Sequence, residues 1–222
     1  VALASIIPFL YSGYFKRYQN KKALHKTLAK QLKQISGISK VPGKELKGFV
    51  MPLLQFFNEE VPTDRPVDLQ LDFRYKIQKE FAYTPENPVD GWSYYQVPWL
   101  SIKSKLADST LMHIQVNYLI RFRLDSKRSR SGKMKHKTKT KVRLVYELTT
   151  HFPKKQYKLK PQKKNKKQAS ESNAFKIKEG DKKIVLKGKV LKKNLTLESV
   201  PDFKEVVALA KTAYSQIQSH KG

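Results

Sequence analysis

Residues 133–152, KMKHKTKTKVRLVYELTTHF, alternate between two kinds of side chain for twenty positions. Odd positions bring Lys133, Lys135, Lys137, Lys139, Lys141 and Arg143, and even positions bring Met134, Val142, Leu144, Tyr146, Leu148 and Phe152. A period of two belongs to an extended chain whose successive side chains leave opposite faces, and no helix satisfies it. The stretch therefore predicts a long strand with an apolar, core-facing side and a cationic side.

The same period recurs upstream. Val67, Leu69, Leu71, Phe73, Tyr75, Ile77, Phe81 and Tyr83 alternate with polar residues, which predicts a half-buried strand over 67–83. WSYYQVPWLSIKSKL predicts a second strand, with Pro98 marking an edge, a bulge or a break. Met112, Ile114, Val116, Tyr118, Ile120, Phe122 and Leu124 predict a third. SKRSRSG (126–132) then reads as a hairpin tip leading into the opening stretch. A turn centred near Ser129 sets Arg121 opposite Lys137, Arg123 opposite Lys135 and Asp125 opposite Lys133, while a different turn type would shift the pairing by two. Either way, the even apolar positions share the core face and the odd cations share the other.

The flanks read as helical. KKALHKTLAKQLKQI carries Leu24, Leu28, Leu32 and Ile35 on one stripe, and VPGKELKGFVMPLLQFFNEEVP predicts a second piece interrupted at Pro52. SVPDFKEVVALAKTAYSQIQ predicts a C-terminal helix capped by Ser199, with Phe203, Val206, Val207, Ala210, Ala213, Tyr214 and Ile217 on one face. The expected class is α+β: N-terminal helices, an antiparallel sheet with a long basic hairpin, and an amphipathic C-terminal helix packed on the sheet. The expected map is an apolar segment over 1–20, helices over 21–60, a β domain over 61–200 and the last helix over 201–222. PKKQYKLKPQKKNKKQASESN has eight lysines and little apolar surface to bury, so 154–173 is expected as a mobile loop inside the β domain.

Charge narrows the partner class. Forty-six Lys and Arg against 18 Asp and Glu give +28 over 222 residues, and 39% hydrophobic content suffices for one core. Residues 1–44 and 121–167 together hold 26 of those net charges, whereas 58–90 carry eight acids against four bases. Like charges opposite one another on a sheet are unfavourable, so a structural sheet gains nothing by collecting them. Two structural explanations compete: lysines that protect a strand edge from aggregation, and neutralisation by Asp68 and Asp72 on a neighbouring strand. An anion-binding surface made of Arg121, Arg123, Lys127, Arg128, Arg130, Lys133, Lys135, Lys137, Lys139, Lys141 and Arg143 answers the charge count better than either. Trp92, Tyr94, Tyr95 and Trp99 lie close in sequence and are candidates for stacking on bases or for a membrane-interface belt, with core packing as the plain alternative.

Chemistry-bearing motifs are absent from the sequence: there is no Gly-rich phosphate loop, HExxH or nucleophile elbow, and no cysteine. The five histidines, His25, His113, His136, His151 and His220, have no metal-ligand spacing. Asn194-Leu195-Thr196 matches a glycosylation acceptor, a pattern common by chance. The sequence therefore indicates no catalytic residue, metal or cofactor, and the expectation is an interaction or scaffold protein and not an enzyme.

VALASIIPFLYSGYF is uncharged for fifteen residues and is followed at once by Lys16, Arg17, Lys21 and Lys22. Tyr11, Tyr14 and Phe15 beside a basic cluster match a membrane-interface belt with a positive flank, which places the domain on the cytoplasmic or an equivalent side. Fifteen residues fall short of the ~20 a span needs, so this reading requires apolar residues before Val1. The expected partner is then lipid headgroups, an acidic protein or a nucleoprotein assembly near the bilayer. The alternative is a soluble cytoplasmic protein associated with nucleic acid or the ribosome, whose apolar N-terminus is core.

Overall fold

The structure, a computed structural model, describes residues 10–15, 43–62, 65–72, 76–128, 130–160 and 175–220. Its centre is an antiparallel sheet of β1 (Leu10–Phe15), β2 (Val67–Asp72), β3 (Ser93–Lys105), β4 (Leu111–Arg128), β5 (Met134–Pro153), β7 (Lys176–Glu179) and β8 (Lys183–Leu195), in the order β1-β2-β3-β4-β5-β8-β7. Helical pieces precede it: α1 (Gly43–Glu45), a π-helical turn (Leu46–Val50) and α2 (Met51–Glu60). α3 (Phe203–Ser215) follows it, and β6 (Tyr157–Leu159) pairs with β9 (Ile217–Ser219) in a small second sheet. The protein is thus broadly α+β and mostly sheet.

Alternation in sequence becomes alternation in burial. Met112, Ile114, Val116, Tyr118 and Ile120 of β4, and Val142, Leu144, Tyr146, Leu148 and Phe152 of β5, are all buried on one face. Phe49, Leu53, Leu54 and Phe57 cover that face from the N-terminal helical region, and Val206, Leu209 and Ala213 cover it from α3. Phe49, Trp99 and Tyr118 meet edge-on, with ring centroids 5.5 and 6.1 Å apart. The buried tyrosine hydroxyls find backbone partners, as buried phenols must: Tyr118 donates to the Ser199 carbonyl at 2.9 Å, and Tyr146 accepts from the Asp202 amide at 2.8 Å.

β3 shows how a bulge redirects side chains. Pro98 lies opposite Asn117 but Leu100 lies opposite Val116, so Trp99 is the extra residue and both it and Leu100 turn into the core. β2 pairs with β3 only from Leu100 to Lys103. Of the predicted strand over 67–83, β2 carries Val67–Asp72; Phe73 and Tyr75 lie outside the described residues, and Phe81 belongs to a 3₁₀ turn at Lys79–Phe81. Beyond the bulge and Pro98, which offers no N–H, an isolated bridge joins Ala82 to Tyr95 of β3.

Four further expectations are corrected. Pro52 does not break its helix: it sits in the first turn of α2, where a missing N–H costs little, directly after the wide π turn. The cap of the last helix is Asp202, whose carboxylate accepts from the Lys204 amide at 2.9 Å, and Ser199 instead accepts from Thr196. Ile217 is buried from strand β9 and not from a helix. The expected loop 154–173 begins with a turn and β6, held by a Tyr157 hydroxyl that donates to Asp108 at 2.8 Å, while 161–174 lie outside the described residues.

The apolar N-terminal segment supplies edge strand β1, paired residue for residue with β2. No helix among the described residues is long and apolar enough to cross a membrane. Residues 1–9 and the amphipathic stretch 21–35 lie outside the described residues.

Candidate functional site: a cationic two-stranded arm

β4 and β5 are the longest strands, at 18 and 20 residues, and they outrun both neighbours. β3 begins at Ser93 opposite Phe122, and β8 ends at Leu195 opposite Val142. Six further residue pairs, from Arg123–Lys139 to Arg128–Met134, continue as a two-stranded arm with no third strand beside it among the described residues. At about 3.4 Å per residue this arm projects roughly 20 Å.

The register differs from the sequence reading. Arg121 lies opposite Lys141, Arg123 opposite Lys139, Asp125 opposite Lys137 and Lys127 opposite Lys135, four residues from the Ser129-centred pairing. The reversal centres on Ser131 because Gly132, at φ +77°, takes the left-handed conformation that a side chain would resist. An even shift leaves the two faces intact, so the odd cations still share one side.

The site has two zones. At the base, cations are held by the protein itself. Arg121 lies over the Tyr94 ring at 5.3 Å and Lys141 over the Trp92 ring at 5.6 Å. Asp125 pairs with Arg123 and, at 2.9 Å, with Lys139. The Lys139 and Arg123 hydrogen bonds hold its carboxyl below the usual carboxylate range. Arg143 is half-buried beside the β8 bulge, where Asn194 adopts φ +60°. Beyond the base, Lys127, Arg128, Arg130, Lys133, Lys135 and Lys137 are exposed, and Asp125 is the one acid that ion-pairs with the arm among the described residues.

Asp68 does not neutralise this surface. It lies opposite Lys103, which lies opposite His113 and then Thr149, eight residues along β5 from Lys141, or about 26 Å at strand spacing. Asp72 is buried in β2, also two strands from β4.

The aromatic group divides. Trp99 is core, Tyr95 packs against the core, and Tyr94 is buried on the outer face beneath Arg121. Trp92 keeps part of its surface open. Three of the four thus lack the free ring face that stacking on a base requires.

One feature of the arm escaped the sequence reading. Leu124 and Met134, expected in the core, are 58% and 55% exposed because, among the described residues, the arm has left behind both the flanking strands and the helical layer that covers the inner half. The signal was present: His136, Thr138 and Thr140 occupy the even positions between Met134 and Val142, so no apolar face runs through 135–141. Ser126 and His136 hydrogen-bond across the arm at 2.8 Å on this even face.

Elsewhere, α2 and α3 flank a cleft of about 310 Å³ lined by Phe56, Leu106, Phe203, Val206, Ala210 and Tyr214, with Glu60 and Lys211 as its charged members. No three His, Asp or Glu side chains gather as a metal set among the described residues. No protein-family model matches the chain, and no curated protein or solved structure shows significant similarity to it.

Proposed function

We propose that the protein is a non-enzymatic interaction protein that holds an anionic macromolecule through the β4–β5 arm. One observation carries this reading: a stretch with no core to support gathers nine cations from Arg123 to Lys141 around a single acid. Lys127 and Lys135 stand directly opposite, an arrangement that costs free energy in the isolated protein and that a bound polyanion relieves.

The test is to replace Lys133, Lys135, Lys137 and Lys139 with Ser. Heparin, as a generic polyanion, should bind the variant more weakly with the melting temperature unchanged. Where the ligand is nucleic acid, the slope of log K against log salt should flatten by about 0.7–0.9 per lost phosphate contact. A variant that unfolds, or one that binds heparin as tightly as the parent, would sink the proposal.

A second reading, attachment to a membrane with the arm on the cytoplasmic side, is supported by the uncharged run before Lys16 and Arg17. It requires the spanning segment to end before Leu10, because Leu10–Phe15 is engaged with β2. Flotation of the full chain with anionic and neutral liposomes tests it: retention on neutral liposomes supports an anchor, and no flotation on either rejects it.

A further inference from the structure

We infer that the arm lies in the major groove of a B-form DNA duplex, with its even-numbered face on the base edges and its lysines reaching the flanking phosphates. This rests on the polyanion reading above and names the partner class.

The two faces of the arm carry different chemistry. The odd face is nearly uniform: Arg123, Lys127, Lys135, Lys137, Lys139 and Lys141, with Asp125 tying down the base. Uniform cations contact phosphate but carry no information about sequence. The even face is mixed: Leu124, Ser126, Arg128, Met134, His136 and Thr138 bring apolar carbons, hydroxyls, an imidazole and a guanidinium within one ribbon width. Base edges in the major groove present that same mixture of methyl groups, donors and acceptors.

Shape points the same way. A two-stranded ribbon fits a groove about 12 Å wide, and among the described residues the arm has no neighbouring strand along either edge, as a segment flanked by two phosphate backbones requires. The major groove of an A-form RNA duplex is too deep and narrow for it. A flat bilayer suits it less. Laying the even face on lipid would insert only Leu124 and Met134 among polar neighbours, and a flat surface, unlike the two walls of a groove, raises no phosphates beside the ribbon for the lysines to reach. Laying the lysine face on lipid would leave Arg128 and the two exposed apolar residues without a contact.

The experiment uses the full chain and the Leu124→Ser/Met134→Ser variant, titrated by fluorescence anisotropy against a mixed-sequence 20-base-pair DNA duplex, the matching RNA duplex, heparin and phosphatidylserine vesicles. The parent should bind the DNA duplex at least about tenfold more tightly than the RNA duplex at equal salt. The double variant should lose about tenfold on the DNA duplex, from partial burial of two apolar side chains. Its heparin affinity and its salt slope should stay unchanged. Because both side chains are exposed, the variant should fold as the parent does, and an unchanged melting temperature verifies it. Equal binding to DNA and RNA duplexes, tighter binding to vesicles, or a double variant that binds DNA like the parent overturns the groove while leaving the polyanion reading intact. Failure to bind any of the four probes overturns both.

Discussion

Strand β5 passes through two environments with one alternation. From Val142 to Phe152 its even side chains are buried under α2, α3 and the facing strands; from Met134 to Thr140 the same parity meets solvent. β4 makes the matching change between Ile120, which is 1% exposed, and Leu124, at 58%. What changes is the company and not the backbone: β3 and β8 flank the inner half and end where the outer half begins. Alternation therefore specifies two faces, but which face is buried depends on whether another layer reaches it.

The comparison breaks most visibly at the inner half. Leu144→Ala and Leu148→Ala should each cost about 2–5 kcal/mol, because both side chains are 1% exposed and truncation leaves a cavity. Urea unfolding reads this directly, and losses below about 1 kcal/mol would mean that the inner half is no better packed than the arm.

A smaller effect is expected at the sheet's far side, where the Phe175 ring lies on Gly188. A Cβ there would meet ring atoms at 2.4 and 2.5 Å, so Gly188→Ala should cost about 1–3 kcal/mol through overpacking. Gly132→Ala, at the arm's turn, has no atom within 4 Å and is strained only by its φ of +77°, so it should cost less. Thermal unfolding of both variants ranks them, and the reverse order would contradict the contrast.

Next in size comes a pH effect confined to the body. Burial, then Lys103, holds the His113 imidazole below its ordinary value of 6.5; burial, then Lys183, does the same for His151. In that window the unfolded chain binds more protons than the folded one, so stability is intact above pH 6.5 and falls as pH drops toward the depressed folded values. His113→Gln with His151→Gln should flatten this decline in denaturation midpoints measured from pH 7.5 to 5. A decline that persists unchanged would place its origin elsewhere.

The smallest stability change belongs to the arm. Leu124→Ser should alter unfolding free energy by no more than about 0.5 kcal/mol, against several for Leu148→Ser, which shares its parity but is 1% exposed where Leu124 is 58% exposed. A large loss from Leu124→Ser would show that the arm packs on something in solution, a second copy included.

Much of the body was legible in advance, because a half-buried antiparallel strand writes its burial into every second residue. The parity of β4 and β5, the α+β class and the helical nature of 203–215 all follow from periodicity that local sequence carries. Trp99 was not legible, since its direction depends on a bulge created jointly by Pro98 and the pairing to β4. The hairpin register was missed by four because the glycine that turns the chain is Gly132, and a run of Ser and Arg before it offers several equivalent turns.

What the sequence determined by itself is therefore the set of faces: which residues share a side, and that one side near 121–143 is cationic. Tertiary structure alone decided where those faces end. A strand's two faces are set by its own alternation, but burial is set by neighbours, and β3 and β8 arrive from segments about 30 to 50 residues away along the chain with their own bulges and stops. Their ends turn the last third of one hairpin from sheet into a projecting arm, because side-chain burial is a property of the packed layers and not of the strand.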